Sequence, residues 1–336
     1  MRFMNRALGI ACFLAAAIAP TTLLAQFRGP VLGFVSDDGR TTIRPIWGVP
    51  GASTLGDSLQ LETPVRLVTV SPQQQYALAV QEDGQLSLID FSQDVFTSQP
   101  IAGLPDGAEN VVISPAGSAA AAYAQPGILR ILAGLPRTPR FVRDLDLSGI
   151  PGNLVLIGVS DDGSLALIKS TKLAGSADDE GVETETALWV VDSASNLWRV
   201  PAERPAAAVF LPNRSDIVVA DDASGDVFLI RDIGRSYDLV SLTRATTETG
   251  SFSTISTSAD GRLVFLGAST SGNVLITDIT SGFVALLSCG CSPTTLDPLK
   301  GTSVFRLTEA SNDPIFVLDA SAATPRIVMV PPKISQ

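Results

Sequence analysis

An apolar, β-rich run ending in a short turn recurs along the chain, at Ser71-Pro72, Ser114-Pro115, Ser160-Asp161, Leu211-Pro212 and Ser258-Ala259. The intervals are 43, 46, 51 and 47 residues, and each turn leads into two or three further short strands. A unit of this length cannot bury its own faces and must stack on its neighbours. The template is clearest in Val65 to Gly103. There four short runs near 66–70, 76–80, 86–91 and 98–102 are separated by Ser71-Pro72, by Glu82-Asp83-Gly84 and by a polar connection. Short runs bounded by Gly, Pro, Asp and Ser predict an antiparallel sheet buried on both faces. Stacked radially, such sheets make an all-β propeller of four-stranded blades.

Five more copies follow the template, over 105–149, 150–203, 204–245, 246–292 and, in degenerate form, 293–333. With the template itself at 61–104, that gives six full repeats in one domain spanning 26–336. Residues 31–60 differ. Val31 to Val35, the Asp37-Asp38-Gly39 turn and Thr42 to Gly48 resemble only the outer hairpin of the template, with Arg44-Pro45-Ile46-Trp47-Gly48 echoing Gln99-Pro100-Ile101-Ala102-Gly103. Seven blades, the first incomplete, is the favoured expectation. The alternative is a closed six-blade ring with this hairpin laid against it. Either way, ring closure removes unpaired sheet edges.

The order of apolar run, Ser-Pro turn, strand, Asp/Gly turn and "L-x-L-I-D" strand carries a family resemblance. As Val70-Ser71-Pro72 and Leu86-Ser87-Leu88-Ile89-Asp90, echoed by Val274 to Asp278 and Ile315 to Asp319, it resembles YVTN-type and WD-like propeller repeats of secreted bacterial proteins. The resemblance covers roughly 31–333 and implies architecture. Propellers of this kind serve as binding modules, enzymes and scaffolds alike. The Trp-Asp dipeptide and Gly-His pair of true WD repeats are absent from the sequence.

The N-terminus reads as a secretory signal. Arg2 and Arg6 form a basic region, Ala7 to Ile18 an apolar one, and Pro20 precedes a cut expected after Ala25. An uncleaved anchor is the alternative, although the apolar run is short for spanning ~30 Å of hydrocarbon. Loss of Arg2 and Arg6 leaves 21 basic against 34 acidic residues, a net charge of −13. That balance disfavours nucleic acid, which calls for Lys/Arg clusters on one face. The expected address is therefore secreted or periplasmic, with no membrane span after cleavage and a monomeric state.

The chain contains no histidine. This removes Ser-His-Asp and Cys-His nucleophilic systems, His-ligated metals and the commonest general base. Acidic residues alone can hold Ca²⁺, which takes six to eight oxygens, but no spacing matches a dedicated Ca²⁺ loop, and no cofactor is expected. The paired acids Asp37-Asp38, Asp161-Asp162, Asp178-Asp179 and Asp221-Asp222 read first as turn formers. Cys289-Gly290-Cys291 admits a local disulfide, idle thiols, or a redox or metal role. Thr171 to Thr186 reads as an acidic insertion between two strands, a solvated loop unless its position on a loop face gives it function. Trp47, Trp189 and Trp198 read as core or near-core residues rather than a sugar platform.

In a meandering four-stranded blade the second–third and fourth–first connections share one end of the ring. Sorting charges by that rule puts Glu82, Asp83, Asp106, Glu109, Asp178, Asp179, Glu180, Asp221, Asp222, Glu309 and Asp313 at one end, with Lys172, Arg204 and Arg244 as the chief bases. The expectation is an acidic rim that attracts a cationic ligand or a basic protein surface. The favoured reading is a non-catalytic binding module. The alternative is a channel-centred, carboxylate- and divalent-cation-dependent hydrolase or lactonase-like enzyme.

Overall fold

The computed structural model describes residues 29–37, 39–61, 63–92, 96–104, 107–125, 127–174, 183–233, 238–310 and 314–332. The expected signal segment lies outside them. Every regular element described is a strand. Blade 1 holds β1 (Val31–Ser36), β2 (Ile43–Val49) and β3 (Ala52–Leu55); blade 2 holds β4 (Val65–Val70), β5 (Tyr76–Gln81), β6 (Leu86–Asp90) and β7 (Thr97–Ile101). Blade 3 comprises β8 (Ala108–Ile113), β9 (Ala119–Ala124), β10 (Ile128–Ala133) and β11 (Arg140–Asp146). Blade 4 comprises β12 (Asn153–Val159), β13 (Leu165–Ala174), β14 (Glu183–Asp192) and β15 (Leu197–Arg199). In blade 5 follow β16 (Pro205–Phe210), β17 (Ile217–Asp221), β18 (Asp226–Arg231) and β19 (Asp238–Arg244). In blade 6 follow β20 (Thr254–Thr257), β21 (Leu263–Ala268), β22 (Asn273–Asp278) and β23 (Val284–Ser288). Blade 7 ends the fold with β24 (Asp297–Pro298), β25 (Val304–Arg306), β26 (Ile315–Asp319) and β27 (Arg326–Val330).

The core lies between the blades, not within them. Leu78, Val80 and Leu86 of blade 2 meet Val111, Ala120 and Leu132 of blade 3. Equivalent apolar clusters join blades 3 and 4, 4 and 5, 5 and 6, and 6 and 7. Phe34 stacks on Phe91 at 4.1 Å between blades 1 and 2, while Leu32 and Ile46 meet Val304 and Val317 between blades 7 and 1. Each sheet thus gives both faces to its neighbours, and the stacking closes on itself as a seven-blade propeller.

The two polar constants of the repeat cap turns. Ser71, Ser114, Ser160 and Ser258 are all buried, and each hydroxyl accepts from the N–H five residues on, at 3.2, 3.1, 2.9 and 2.9 Å. The hydroxyl closes the turn between first and second strands without exposing backbone to an apolar surround. The aspartate ending the third strand does the same at the next turn but one. Asp90 accepts from Ser92 N, Asp192 from Ala194 N and Asn196 N, and Asp278 from Thr280 N and Ser281 N.

Asp278 also takes Arg262 at 2.6 Å. The Arg262 hydrogen bond and then the Ser281 N–H draw its carboxyl down to about 2 from an ordinary 3.8. A folded value below the unfolded one gives stability that is complete above about pH 4 and lost as pH falls towards about 2. Asp278→Asn is therefore expected to lower the melting midpoint at neutral pH and to match the parent near pH 2. Parallel melting curves at a constant offset across that range would refute the linkage.

Blade 1 departs from the expected outer hairpin. β1 is buried through its middle, β2 over its first half and exposed only at its end, and β3 alternates, the profile of second, third and fourth strands elsewhere. Among the described residues blade 1 has no innermost strand, and none of them ladders with the inner edge of β1. Neighbouring blades satisfy that edge one group at a time. Lys300 N donates to Leu32 O at 2.8 Å, Phe34 N donates to Gln74 Oε1 at 2.6 Å, and Arg306 Nη1 donates to Ser36 O at 2.8 Å. Gln74 Nε2 continues to Pro298 O at 2.6 Å, so one buried amide spans blades 2, 1 and 7. A Cβ on Gly33 would come within 2.8 Å of Leu299 and 3.1 Å of Gln74, which explains glycine there.

One further expectation needs correction. The supposed insertion is partly a ladder: Thr171–Ala174 pair with Glu183–Thr186, extending β13 and β14, and only 175–182 lie outside the described residues. In the degenerate last repeat the run 303–308 holds the second strand and 315–319 the third. The first is the two-residue β24, too short to carry a pattern.

Candidate functional site

The connections between second and third strands, and between blades, place Glu82, Asp83, Glu109, Asp221, Asp222 and Glu309 at one end of the ring. They do not converge. Glu82 and Asp83 occupy the exposed β5–β6 turn, where Asp83 accepts from Gln85 N at 2.9 Å. Glu109 stands exposed at the start of β8 and accepts from Gln125 Nε2 at 3.2 Å. Asp221 is buried and braces the chain entering blade 5, accepting from Arg204 N at 2.8 Å and from Ser224 Oγ at 3.2 Å. Asp222 pairs with Arg204 at 3.1 Å, and Glu309 lies 3.5 Å from Arg306. Arg244 is occupied by Asp226 at 2.6 Å, while Arg66 reaches the same end and donates to Ala108 O. Asp106, Asp178, Asp179, Glu180 and Asp313 lie outside the described residues. Among the described residues no three His, Cys, Asp or Glu form a group able to hold a metal ion.

Cys289 and Cys291 are joined by a disulfide on the connection leaving blade 6, at this same end. Cys289 is buried among Phe265, Ile276 and Phe305, and its N–H donates to Gly272 O at 2.7 Å. The bridge fastens the connection to the core between blades 6 and 7.

The opposite end of the channel holds a cavity of about 270 Å³. Its wall comes from inner strands, with Val70, Val112, Ile113, Ile157 and Val209 facing it, and two charged residues line it, Arg40 and Asp297. Both charges sit at the inner edge of blade 1, beside β1. Asp297 is half open to the cavity; the desolvation it does suffer opposes ionisation, but Arg306 and its hydrogen bond, with Arg40 further off, hold its pKa below the ordinary value. Arg306 is itself buried, bonded to Asp297 and Ser36 O, with Nε lacking a partner among the described residues.

Sequence reasoning missed this seam, yet a signal was present. The first turn reads Ser-Pro-Gln-Gln in blade 2 but Ser-Pro-Ala-Gly, Ser-Asp-Asp-Gly and Ser-Ala-Asp-Gly in blades 3, 4 and 6. Gln74 holds φ 58°, the left-handed geometry its three glycine counterparts adopt at 72°, 67° and 67°. Arg40 likewise holds φ 53° where blade 2 has Gly84 at 84°, each donating its N–H three residues back. A long side chain in that region costs about 1 kcal/mol relative to glycine. Both such residues face the gap.

Radial closure, an axial cavity and loops gathered at two ends define the chain as a seven-blade β-propeller. It is similar to several solved propellers at low identity. A Desulfotomaculum acetoxidans protein described as functionally unknown shares 14% identity over 90% of this chain and 100% of its own, with a TM-score of 0.53. Apo AztD from Citrobacter koseri shares 13%, covering 90% of this chain and 83% of its own, at 0.54. A Bacteroides fragilis protein whose name carries a provisional 6-phosphogluconolactonase assignment shares 13%, covering 90% and 94%, at 0.53. At such identities the likeness shows the fold alone. No family model matches the chain, and no curated protein matches it.

Proposed function

We propose that the protein is a secreted or periplasmic, monomeric, non-catalytic propeller that binds a basic protein surface or cationic ligand through its acidic end. The observation carrying this reading is the sorting of charge. At that end Arg204 and Arg244 are each paired within their own blade, and Glu82, Asp83 and Glu109 form no ion pair among the described residues; Arg66 and Lys172 form none there either, so the described carboxylates without an ion pair outnumber such bases by three to two. Exposed carboxylates left uncompensated on a net-acidic ring attract cations and repel polyanions. Spread over turns fixed by their own backbone, they suit a broad contact better than a single reacting point. A carboxylate- and divalent-cation-dependent hydrolase is the competing reading, and it requires several oxygens converging on one ion.

Titration with poly-L-lysine is expected to give saturable binding that weakens as salt rises from about 0.05 to 0.3 M, while poly-L-glutamate does not bind. Replacing Glu82, Asp83 and Glu109 together by their amides should weaken the polycation roughly tenfold, an interaction loss of about 1.4 kcal/mol. Equal binding of the polyanion, or indifference to the triple substitution, would reject the acidic surface. A melting midpoint raised by Ca²⁺ but not by Mg²⁺ would instead favour the hydrolase.

A further inference from the structure

We propose that the outer edge of blade 6, strand β23, docks an extended segment of another protein by strand addition, and that this segment is uncharged with apolar residues at alternate positions. β23 lies on the outer rim, between the two ends of the ring, so this surface is independent of the acidic one. Phe283, Val284 and Leu286 are 62, 42 and 42% exposed. They are three of the ten large apolar side chains left exposed among the described residues, gathered within four consecutive positions. Their backbone is open as well. Phe283 O accepts from Asp278 N and Cys289 N donates to Gly272 O, so the chain at 283, 285, 287 and 289 bonds inward to β22. By antiparallel alternation Val284, Leu286 and Ser288 turn their N–H and C=O outward, and no described strand pairs with them.

The other blades blunt their outer edges, as sheets of monomeric proteins ordinarily do. β3 and β15 have four and three residues, and Leu55 N of β3 is taken by Pro331 O. Pro100 interrupts β7, Arg140 and Arg143 stand in β11, Asp238 and Arg244 close the two ends of β19, and Arg326 opens β27. β23 has none of these devices, and no charged residue occurs between Asp278 and Asp297. The two faces of the strand are unequal. Ala285 and Leu287 pack into the core between blades 6 and 7, whereas Val284 and Leu286 stay open. Leu286 stands opposite Leu275, which belongs to the core between blades 5 and 6, so an added strand would lay its apolar residues over the open rim of that core. In this mode of recognition main-chain pairing supplies affinity and alternate side chains supply selectivity. Charge decides the occupant. A second copy would set two rings edge to edge, each with 34 acids against 23 bases, and they would repel. An uncharged segment meets no such field, and a charged one would gain nothing from an uncharged strand.

The probe is a blocked heptapeptide, Ser-Val-Thr-Val-Thr-Val-Ser, carrying a dye for fluorescence anisotropy. The protein should bind it saturably and alike at about 0.05 and 0.3 M salt, which separates it from any charge-driven contact. Leu286→Lys places a charge on the open edge and is expected to weaken binding roughly tenfold without lowering the melting midpoint, because the side chain it replaces is exposed. N-methylation of the peptide's central amides keeps its apolar side chains, removes its donors and should abolish binding. The protein with Glu82, Asp83 and Glu109 replaced by their amides should bind the heptapeptide as the parent does; loss of binding there would move the peptide to the acidic end and overturn the proposal. Undiminished binding by the Leu286→Lys variant, or of the methylated peptide, would overturn strand addition. A concentration-dependent dimer in sedimentation, abolished by Leu286→Lys, would overturn the choice of occupant and assign the edge to a second copy.

Discussion

Replacing Gln74 by alanine is expected to lower the unfolding free energy by about 3 kcal/mol, because two groups lose their partner at once and an unsatisfied buried group costs about 1–3 kcal/mol. The groups are Phe34 N–H and Pro298 C=O, each 2.6 Å from the Gln74 amide. They belong to blades that share no ladder, so no backbone shift within one sheet restores both bonds. The order of substitutions makes the test specific. Glycine in structured backbone is ordinarily worse than alanine by about 0.5–1 kcal/mol. At φ 58° the order reverses, because alanine keeps the left-handed strain that glycine relieves. Urea unfolding of both variants should rank Gln74→Gly above Gln74→Ala and below the parent. A loss under about 0.5 kcal/mol for alanine, the range of an ordinary surface change, would mean that the amide does not bridge the seam.

Arg306→Met is expected to cost about 3 kcal/mol at neutral pH, the lower end of the range for breaking a buried ion pair. Arg306 is 2% exposed, whereas the Asp297 side chain is about half open to the cavity, which softens the penalty. The loss also strips Ser36 C=O of its donor on the inner edge of blade 1. The dependence on pH separates ion pairing from lost packing. In the parent, Asp297 titrates below its unfolded value, so the pair contributes stability above the ordinary carboxylate range and loses it as pH falls through that range. In the variant the guanidinium no longer holds that carboxyl down, so protonation stops opposing folding. The stability gap between parent and variant should therefore narrow from pH 7 to pH 3. A gap unchanged over that interval would assign the whole effect to packing.

Much of the architecture was written in the repeat because its constants do local work. Ser71, Ser114 and Ser160 recur where a hydroxyl must close a buried turn, and Asp90, Asp278 and Asp319 recur where a carboxylate must cap one. What failed depended on neighbours instead. The pattern of β1 and β2 fits any adjacent pair of strands, so only the further strand β3 outside them showed that they are not the outer hairpin. β24 has two residues, and no periodicity survives at that length. The cavity wall was illegible for the same reason, since Val70, Ile157 and Val209 are ordinary strand residues until the ring brings them around one axis. Arg40 and Gln74 were legible in principle, as long side chains where sibling units carry glycine.

The layout of blade 1 also decides how the toroid bears load. Among the described residues each blade is one stretch of chain, and no ladder there joins the last blade to the first. Besides the apolar cluster of Leu32, Ile46, Val304 and Val317, that junction holds through separate clasps: Lys300 to Leu32, Leu55 to Pro331, Arg306 to Ser36 and the Gln74 amide. Pulling the two blades apart would break these one after another, with no row of bonds sheared in parallel. Opening at this point leaves all seven sheets intact, and unlike the six other junctions this one is not also spanned by a described connection of the chain.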